Sequence, residues 1–512
     1  MAVDYDENML YNLIMKGVEN MRDYKFGDFL RERRKALSLS QFQLGRLMGV
    51  SDKAISKWEN GTSKPKSGLF KKLADILDLS VDDLLRCELY EKKGCTEFEL
   101  MEKEIWGRAK ERLALIYGEN APLIVQSRFD YEKSKLQGTF MPVLYSLIAK
   151  ISAVSKENGY ETSCTGSLGS SFIAYVLGAS SLNPLPPHYL CENCKSVHFM
   201  PEYKSAWDLP EKLCTCGNRM ARIGHSIPFE TVQSEIKCKY ASSVVACDMM
   251  PNAIEIIKEM SAFMSVICVK PNSDSTKKYN PNRFFFVPNS KPDFKIVNFN
   301  EEERYDLYAN YSLSVLPSAQ LDKLHRLCVE CDTKVEEIFP ESSMLDSLSA
   351  TKVEGLDEFK SDYMKGLLLK TKPKSFYQLS KICGLAHGTG TWEEVGRELF
   401  ENGVSLDDLI AFRDDVFMYV IEAMRKKGIY EGYGFAYEIM NTARRGLYVI
   451  NGIKEKDRRF LEELELEPWF ISAITKLSYL FPKAHALYYV QKTIYLLWFK
   501  KHFPKKFDEI IL

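Results

Sequence analysis

Four cysteines carry the clearest chemistry in the sequence: Cys191 and Cys194 in a C-x-x-C pair, then Cys214 and Cys216 in a C-x-C pair. Two paired-thiolate knuckles at that separation suit one closed, tetrahedral, structural zinc site. His198 is an alternative ligand, and a packed site without metal is the alternative reading. Cys328 and Cys331 lie in a helical stretch with no second pair, so their spacing is incidental. The single Asp-x-Asp in the chain is Asp4/Asp6.

The elements that position these groups follow from the pattern along the chain. Apolar residues at Met9, Leu10, Leu13, Ile14 and Val18 suit one amphipathic helix within an N-terminal arm, residues 1–25. Residues 40–61, SQFQLGRLMGVSDKAISKWENG, place Leu44, Leu47, Val50, Ile55 and Trp58 along the seam of two crossed helices. Gly49 sits at the turn, where a missing Cβ permits positive φ, and Ser51 is placed to cap the second helix. Leu69, Leu73, Ile76 and Leu77 belong to a further covering helix. From Phe26 to Leu85 the stretch resembles the phage-repressor (Cro-like, XRE) helix-turn-helix family.

That resemblance implies that Asp52–Glu59 enters the major groove of double-stranded DNA. Asp52, Lys53 and Lys57 would then face base edges, with Gln41 and Asn60 at phosphate-contacting positions. Residues 26–86 hold 12 Lys/Arg against 8 Asp/Glu, a local net charge of +4, which favours phosphate attraction. A module that binds protein partners is the alternative.

The whole chain is not basic. Its 512 residues carry 69 Lys/Arg and 70 Asp/Glu, a net charge of −1, so a uniformly basic nucleic-acid coat is excluded. A chain of this length allows roughly three domains. No run of about 18 apolar residues points to a membrane span. The acidic N-terminus does not read as a signal peptide. Thirteen cysteines without an export signal read as reduced thiols or metal ligands in a cytoplasmic protein.

A second, longer resemblance runs from about residue 110 to 505. ERLALIYGE (111–119), GSLGSSF (166–172), NPLPPHYLCENC (183–194), GHSIPFET (224–231), CGLAHGTGTW (383–392), RDDVFMYVI (413–421) and YLFPKAHALYYV (479–490) look like successive segments of the PolC-type DNA polymerase III α subunit. The resemblance implies an α+β, mostly helical, multidomain chain. Its parts would be an all-α helix-turn-helix, a polymerase-beta-like nucleotidyltransferase palm with a small Cys-rich module, and helical fingers. The expected divisions are 26–86 for the helix-turn-helix, 87–110 for a linker helix and 111–185 for the first part of the palm. The zinc-ribbon-like module takes 186–228, the second part of the palm with a shortened thumb 229–335, and the fingers 336–512. Strand candidates are Ser243–Cys247 and Phe284–Val287, and from 301 onward the pattern reads as helical.

By the same resemblance, Gly166-Ser167 and Gly169-Ser170 would form a turn whose N–H groups cradle a triphosphate. Arg413, Lys483 and His485 would lie near the nucleotide. The family's two metals need three carboxylates. Counting from GHSIPFET, the slots fall on Ser242 and Val244, and the third on Ser314 in SLSVL (312–316). Asp248 and Glu235 are the nearest acids. The family's Arg before the Gly/Ser turn is Thr165 here, the 244–314 stretch is short for a thumb, and the exonuclease, helix-hairpin-helix and clamp-binding parts have no counterpart in the sequence read.

These losses imply a catalytically inactive pseudo-polymerase fused to a sequence-specific DNA-binding domain, acting as regulator or decoy. Its partners would be duplex DNA and a nucleotide, primer-template or replication protein, with homodimerisation on paired half-sites. Structural zinc is the expected metal, and Mg²⁺ belongs only to an active enzyme. The alternatives are an active PolC-type DNA-directed DNA polymerase with relocated acids, and a plain transcriptional repressor that oligomerises through its C-terminal part.

Overall fold

The computed structural model describes residues 24–36, 39–66, 69–77, 97–270, 282–287, 290, 292–298, 311–349, 353–431 and 433–512. The expected helix at Met9–Val18, the Asp4/Asp6 pair and residues 87–96 lie outside them. The chain divides into two compact units after Thr96, each taken here by itself.

The first unit packs helices Tyr24–Ala36, Gln41–Met48, Asp52–Glu59 and Phe70–Leu77. Their core is Phe26, Leu30, Leu44, Met48, Ile55, Trp58, Leu73 and Leu77. Leu47, expected in the seam, is 49% exposed; Met48, one position on, takes the inward place instead. Ser40 and Gln43 form a reciprocal capping box at the start of Gln41–Met48, which satisfies two otherwise orphaned N–H groups. Gly49 closes the helix with φ 77°, the left-handed geometry that glycine adopts without strain.

In the second unit the described part of the stretch 87–110, expected as a linker helix, belongs to the longer helix Glu97–Tyr117. Ile105, Trp106, Ala109 and Leu113 of that helix are buried in the main core. Its charged residues occupy the opposite face, so composition alone resembled a solvated connector. Helices Leu123–Leu136, Met141–Glu157 and Phe172–Leu177 follow. The apolar helix Met141–Glu157 packs against the sheet strand Tyr240–Ala246.

The Cys-rich stretch forms a three-stranded antiparallel sheet from β1 (His188–Leu190), β2 (Val197–Phe199) and β3 (Ala221–Ile223), in the order β2-β1-β3. The main sheet comprises β4 (Tyr240–Ala246), β5 (Ser265–Lys270), β6 (Asn282–Val287), β7 (Asp293–Asn298) and β8 (Tyr311–Ser318). Its order is β4-β8-β6-β5-β7, with β4 parallel to β8 and β6 antiparallel to it. β8 corrects the helical reading of the sequence after 301. Its Leu313 and Val315 point into the core between Ser312 and Ser314, a period-2 pattern.

The C-terminal helices divide between two cores. Residues 395–480 build one of their own around Phe417, Ile439, Phe470 and Leu477. The helix Lys483–His502 instead joins the main core through Leu487, Tyr488, Ile494 and Leu497. Among the described residues no single helix is long and apolar enough to cross a membrane.

Candidate DNA-binding helix, cysteine cluster and palm-like site

On the helix Asp52–Glu59, Ser51 Oγ accepts from the Ala54 N–H at 3.2 Å and so caps the helix. Asp52, Lys53 and Lys57 are exposed. Gln41 and Asn60 are engaged internally: Gln41 Nε2 donates to Glu59 Oε2 at 2.8 Å, and Arg31 donates to Asn60 Oδ1 at 2.9 Å. Beneath them Glu59, 1% exposed, takes two bonds from the Arg34 guanidinium, at 2.5 and 3.0 Å. The Arg34 contact holds the Glu59 carboxyl below its ordinary range against the opposing effect of burial. This buried pair was not read from the sequence; an acidic residue ending a recognition helix gives no local sign of a partner 25 positions earlier.

The four cysteine sulfurs converge within 4.8 Å of one another. Cys191 and Cys216 Sγ lie 3.5 Å apart, and Cys194 and Cys214 Sγ 3.4 Å apart. Sulfurs on a tetrahedral zinc stand about 3.8 Å apart, given Zn–S bonds of about 2.3 Å, so the donor set fits one such ion. The two knuckles are tight turns, with Cys191 O accepting from Lys195 N and Cys214 O from Gly217 N, both at 2.9 Å. The backbone and side-chain amides of Asn218 pull the Cys216 thiol down to about 6, favouring the ligating thiolate. Cys214 shifts the same way, led by the N–H of Cys216. His198 stands apart, its Nε2 at 3.2 Å from Ser196 Oγ.

The three carboxylate slots come together on the main sheet. In the β4–β8 register Ser242 lies opposite Ser314 and Val244 opposite Leu316. In the β6–β8 register Arg283 lies opposite Ser314. Directly paired residues share a face, so Ser242, Ser314 and Arg283 form one row with Val244 beside it. Ser242 Oγ is 2.6 Å from Thr165 Oγ1, which joins the sheet to the Gly/Ser turn. Arg283 donates to Ser312 Oγ at 3.2 Å and lies against the rings of Tyr240 and Phe285. Asp248 sits beyond the end of β4, exposed, and accepts from Tyr160 OH at 3.2 Å. Among the described residues, the four cysteines form the one group of three or more His, Cys, Asp or Glu side chains close enough to hold a metal ion.

The two Gly-Ser pairs of the turn have different surroundings. At Gly166 (φ 68°) a Cβ would stand 2.5 Å from Glu235 Oε1, and that oxygen accepts from Ser167 N–H at 2.7 Å. Gly169 instead lies against Leu182, Ala484 and Tyr488, while Ser170 Oγ accepts from Thr231 Oγ1 at 2.9 Å. The N–H groups of Phe172 and Ile173 donate to Glu132, a fully buried carboxylate that also holds Arg128 and Ser171 Oγ. Nothing in the local sequence marked Glu132, four residues after Arg128 in an ordinary helical stretch.

Of the three residues expected near a nucleotide, Arg413 and Lys483 are buried and His485 is half-buried. Arg413 Nη2 donates to Thr231 O at 2.8 Å, and its Nε has no partner. Lys483 Nζ donates to Ser226 O at 3.1 Å, and burial lowers its pKa to about 8. His485 stacks on Phe481 at 4.7 Å, and burial drives its pKa down to about 3.

Comparisons with known proteins match three stretches of the chain. A helix-turn-helix family matches residues 30–84, the bacterial DNA polymerase III alpha NTPase domain residues 99–238, and the bacterial DNA polymerase III alpha subunit finger domain residues 322–445. The main sheet falls between the last two matches. The chain is 28% identical over 492 residues to a DNA polymerase III PolC-type of Clostridium perfringens, covering 80% of this chain and 33% of that protein. Similarity to the PolC-type polymerase of Thermotoga petrophila is 28% over 464 residues, or 77% and 33%. For that of Staphylococcus aureus it is 27% over 466 residues, or 76% and 31%. The chain thus joins a helix-turn-helix DNA-binding domain to PolC-like polymerase domains. It spans about a third of the length of these curated relatives.

Proposed function

We propose that this is a DNA-binding protein whose polymerase-like core does not polymerise. The observation that carries this reading is the row Ser242–Ser314–Arg283. Two hydroxyls and the methyls of Val244 occupy the three positions where carboxylates would have to hold two divalent cations, and the Arg283 guanidinium lies beside them. Neutral hydroxyls do not replace anionic oxygen for Mg²⁺. A guanidinium on the same face repels a cation by about 4 kcal/mol per unit charge at roughly 4 Å. The residues present therefore do not fit a two-metal centre. Asp248 and Glu235 do not repair it, since one lies past the strand end and the other is bonded to the Gly/Ser turn.

Double-stranded DNA is the partner of the first unit. The exposed Lys53 and Lys57, with Asp52, reach base edges and phosphates from the capped helix, and two copies read paired half-sites. The cysteine cluster holds one structural zinc, which would fasten the two knuckles around β1. In this reading the core serves a regulator or decoy.

Primer extension with the full chain, labelled primer-template and four dNTPs, in Mg²⁺ and separately in Mn²⁺, tests the first part. No extension by folded protein that still shifts duplex DNA is the expected result. Extension that disappears in Asp248→Asn or Glu235→Gln would establish a rebuilt active site and sink the reading. Metal analysis should find one zinc per chain, and Cys216→Ser should lose it.

A further inference from the structure

We infer that Glu235 is the internal ligand of the Gly166–Ser167 turn and the residue that sets its ligand specificity, holding by its own carboxylate the anion position that a phosphate group would take. The inference rests on the reading of the core as non-polymerising and makes it more specific.

The argument begins with backbone geometry. Gly166 at φ 68° followed by Ser167 at φ −113°, ψ 12° turns successive N–H groups toward one side of the chain, the arrangement that makes an anion-binding concavity. Glu235 Oε1 sits in it, accepting from Ser167 N–H at 2.7 Å. It approaches Gly166 so closely that a Cβ there would lie 2.5 Å away. The charges around this position are those of an anion site. Arg413 and Arg444 both act on the Glu235 carboxylate, and the buried Arg413 keeps its Nε without a hydrogen-bond partner.

Ser170 and Ser171 N–H donate to Ser167 O and Leu168 O, and those of Phe172 and Ile173 belong to Glu132. A phosphate oxygen at the Ser167 N–H must displace Glu235, and the displaced carboxylate would repel it. The carboxylate opposes its own burial, which raises its pKa to about 6, so it is held there by the N–H and guanidinium groups rather than by solvation.

Glu235→Gln keeps the shape and removes the charge, leaving two guanidiniums without that counter-ion. The experiment compares the full-length protein and this variant by thermal shift and isothermal titration with inorganic pyrophosphate and tripolyphosphate, with a nucleoside lacking phosphate as control. The expected result is no saturable binding by the unaltered chain. Glu235→Gln and Glu235→Ala should gain saturable binding of both anions, consistent with regained charge-assisted hydrogen bonds, and the nucleoside should distinguish none of the proteins. Equal binding by unaltered chain and variants would overturn the inference. So would the absence of binding in a folded variant, because the turn would then not be an anion site with its plug removed. Binding by the unaltered chain decides the matter even if a variant fails to fold. Primer extension reports separately on the underlying reading, so the two can fail independently.

Discussion

On the helix Asp52–Glu59, Lys53 and Lys57 stand in solvent, while the Arg34–Glu59 pair that organises the helices is buried beneath them. In the palm-like region, Arg283 is folded onto Ser312, Tyr240 and Phe285, and the Gly/Ser turn is bonded to Glu235. The first region has its structural charges inside and its lysines exposed. The second engages most of its polar groups internally and leaves Ser167 Oγ and Arg413 Nε unpartnered. Regions with similar residue types differ in which of those residues are paired.

The contrast is broken most severely at its foundation. Glu59→Ala leaves the Arg34 guanidinium buried without its partner, which costs about 3–5 kcal/mol. Hydrogen exchange in the full chain should show residues 24–77 losing protection while residues 97–157 keep theirs, and DNA binding should fall with it. Equal protection in both proteins would remove Glu59 from the scaffold.

Acid should strike the second unit next. Burial lowers His188 to about 4, His225 to about 3 and His485 to about 3. Groups with depressed basicity bind fewer protons folded than unfolded between those values and about 6.5, so stability falls with pH across that window. From pH 7 to pH 5 each histidine contributes a loss of about 2 kcal/mol. Asp208 and Glu235, both raised by burial to about 6, oppose it: protonation on acidification relieves their burial. A net fall in melting temperature is expected on thermal unfolding, and a rise would show that the raised acids dominate.

Smaller effects sharpen the surface side of the comparison. Lys53→Ala or Lys57→Ala should weaken a selected duplex by about 1 kcal/mol or more and lower the salt dependence of binding. Fluorescence anisotropy at several salt concentrations measures both. Gln41→Ala should show less change in salt dependence, because its amide is committed to Glu59. Smallest of all, Ser242→Ala removes the bond to Thr165 and should cost about 1 kcal/mol in denaturant unfolding. It should leave DNA affinity unchanged; an altered affinity would reveal coupling between the sheet and the DNA-binding helix.

Much of this arrangement is legible in local sequence, because local chemistry dictates it. The capping Ser51, the left-handed Gly49 and the paired cysteines are each specified within a few residues. The misreadings share a cause. β8 passed for part of a helical region because its alternation is short, and Leu47 passed for a seam residue because the inward position was one residue away.

The sequence by itself determined which groups are available: four thiols, a helix with two exposed lysines, a Gly/Ser turn, and serines and a valine where acids were counted. Only the tertiary structure decided which of them meet. The alignment of Ser242, Ser314 and Arg283 depends on hydrogen-bonded register among strands far apart in the chain. The docking of Glu235 on Gly166, and of Glu59 on Arg34, depends on long-range packing that brings a carboxylate to N–H and guanidinium groups it cannot find locally. Side-chain type is a property of one position, whereas pairing and desolvation belong to the neighbours that folding supplies.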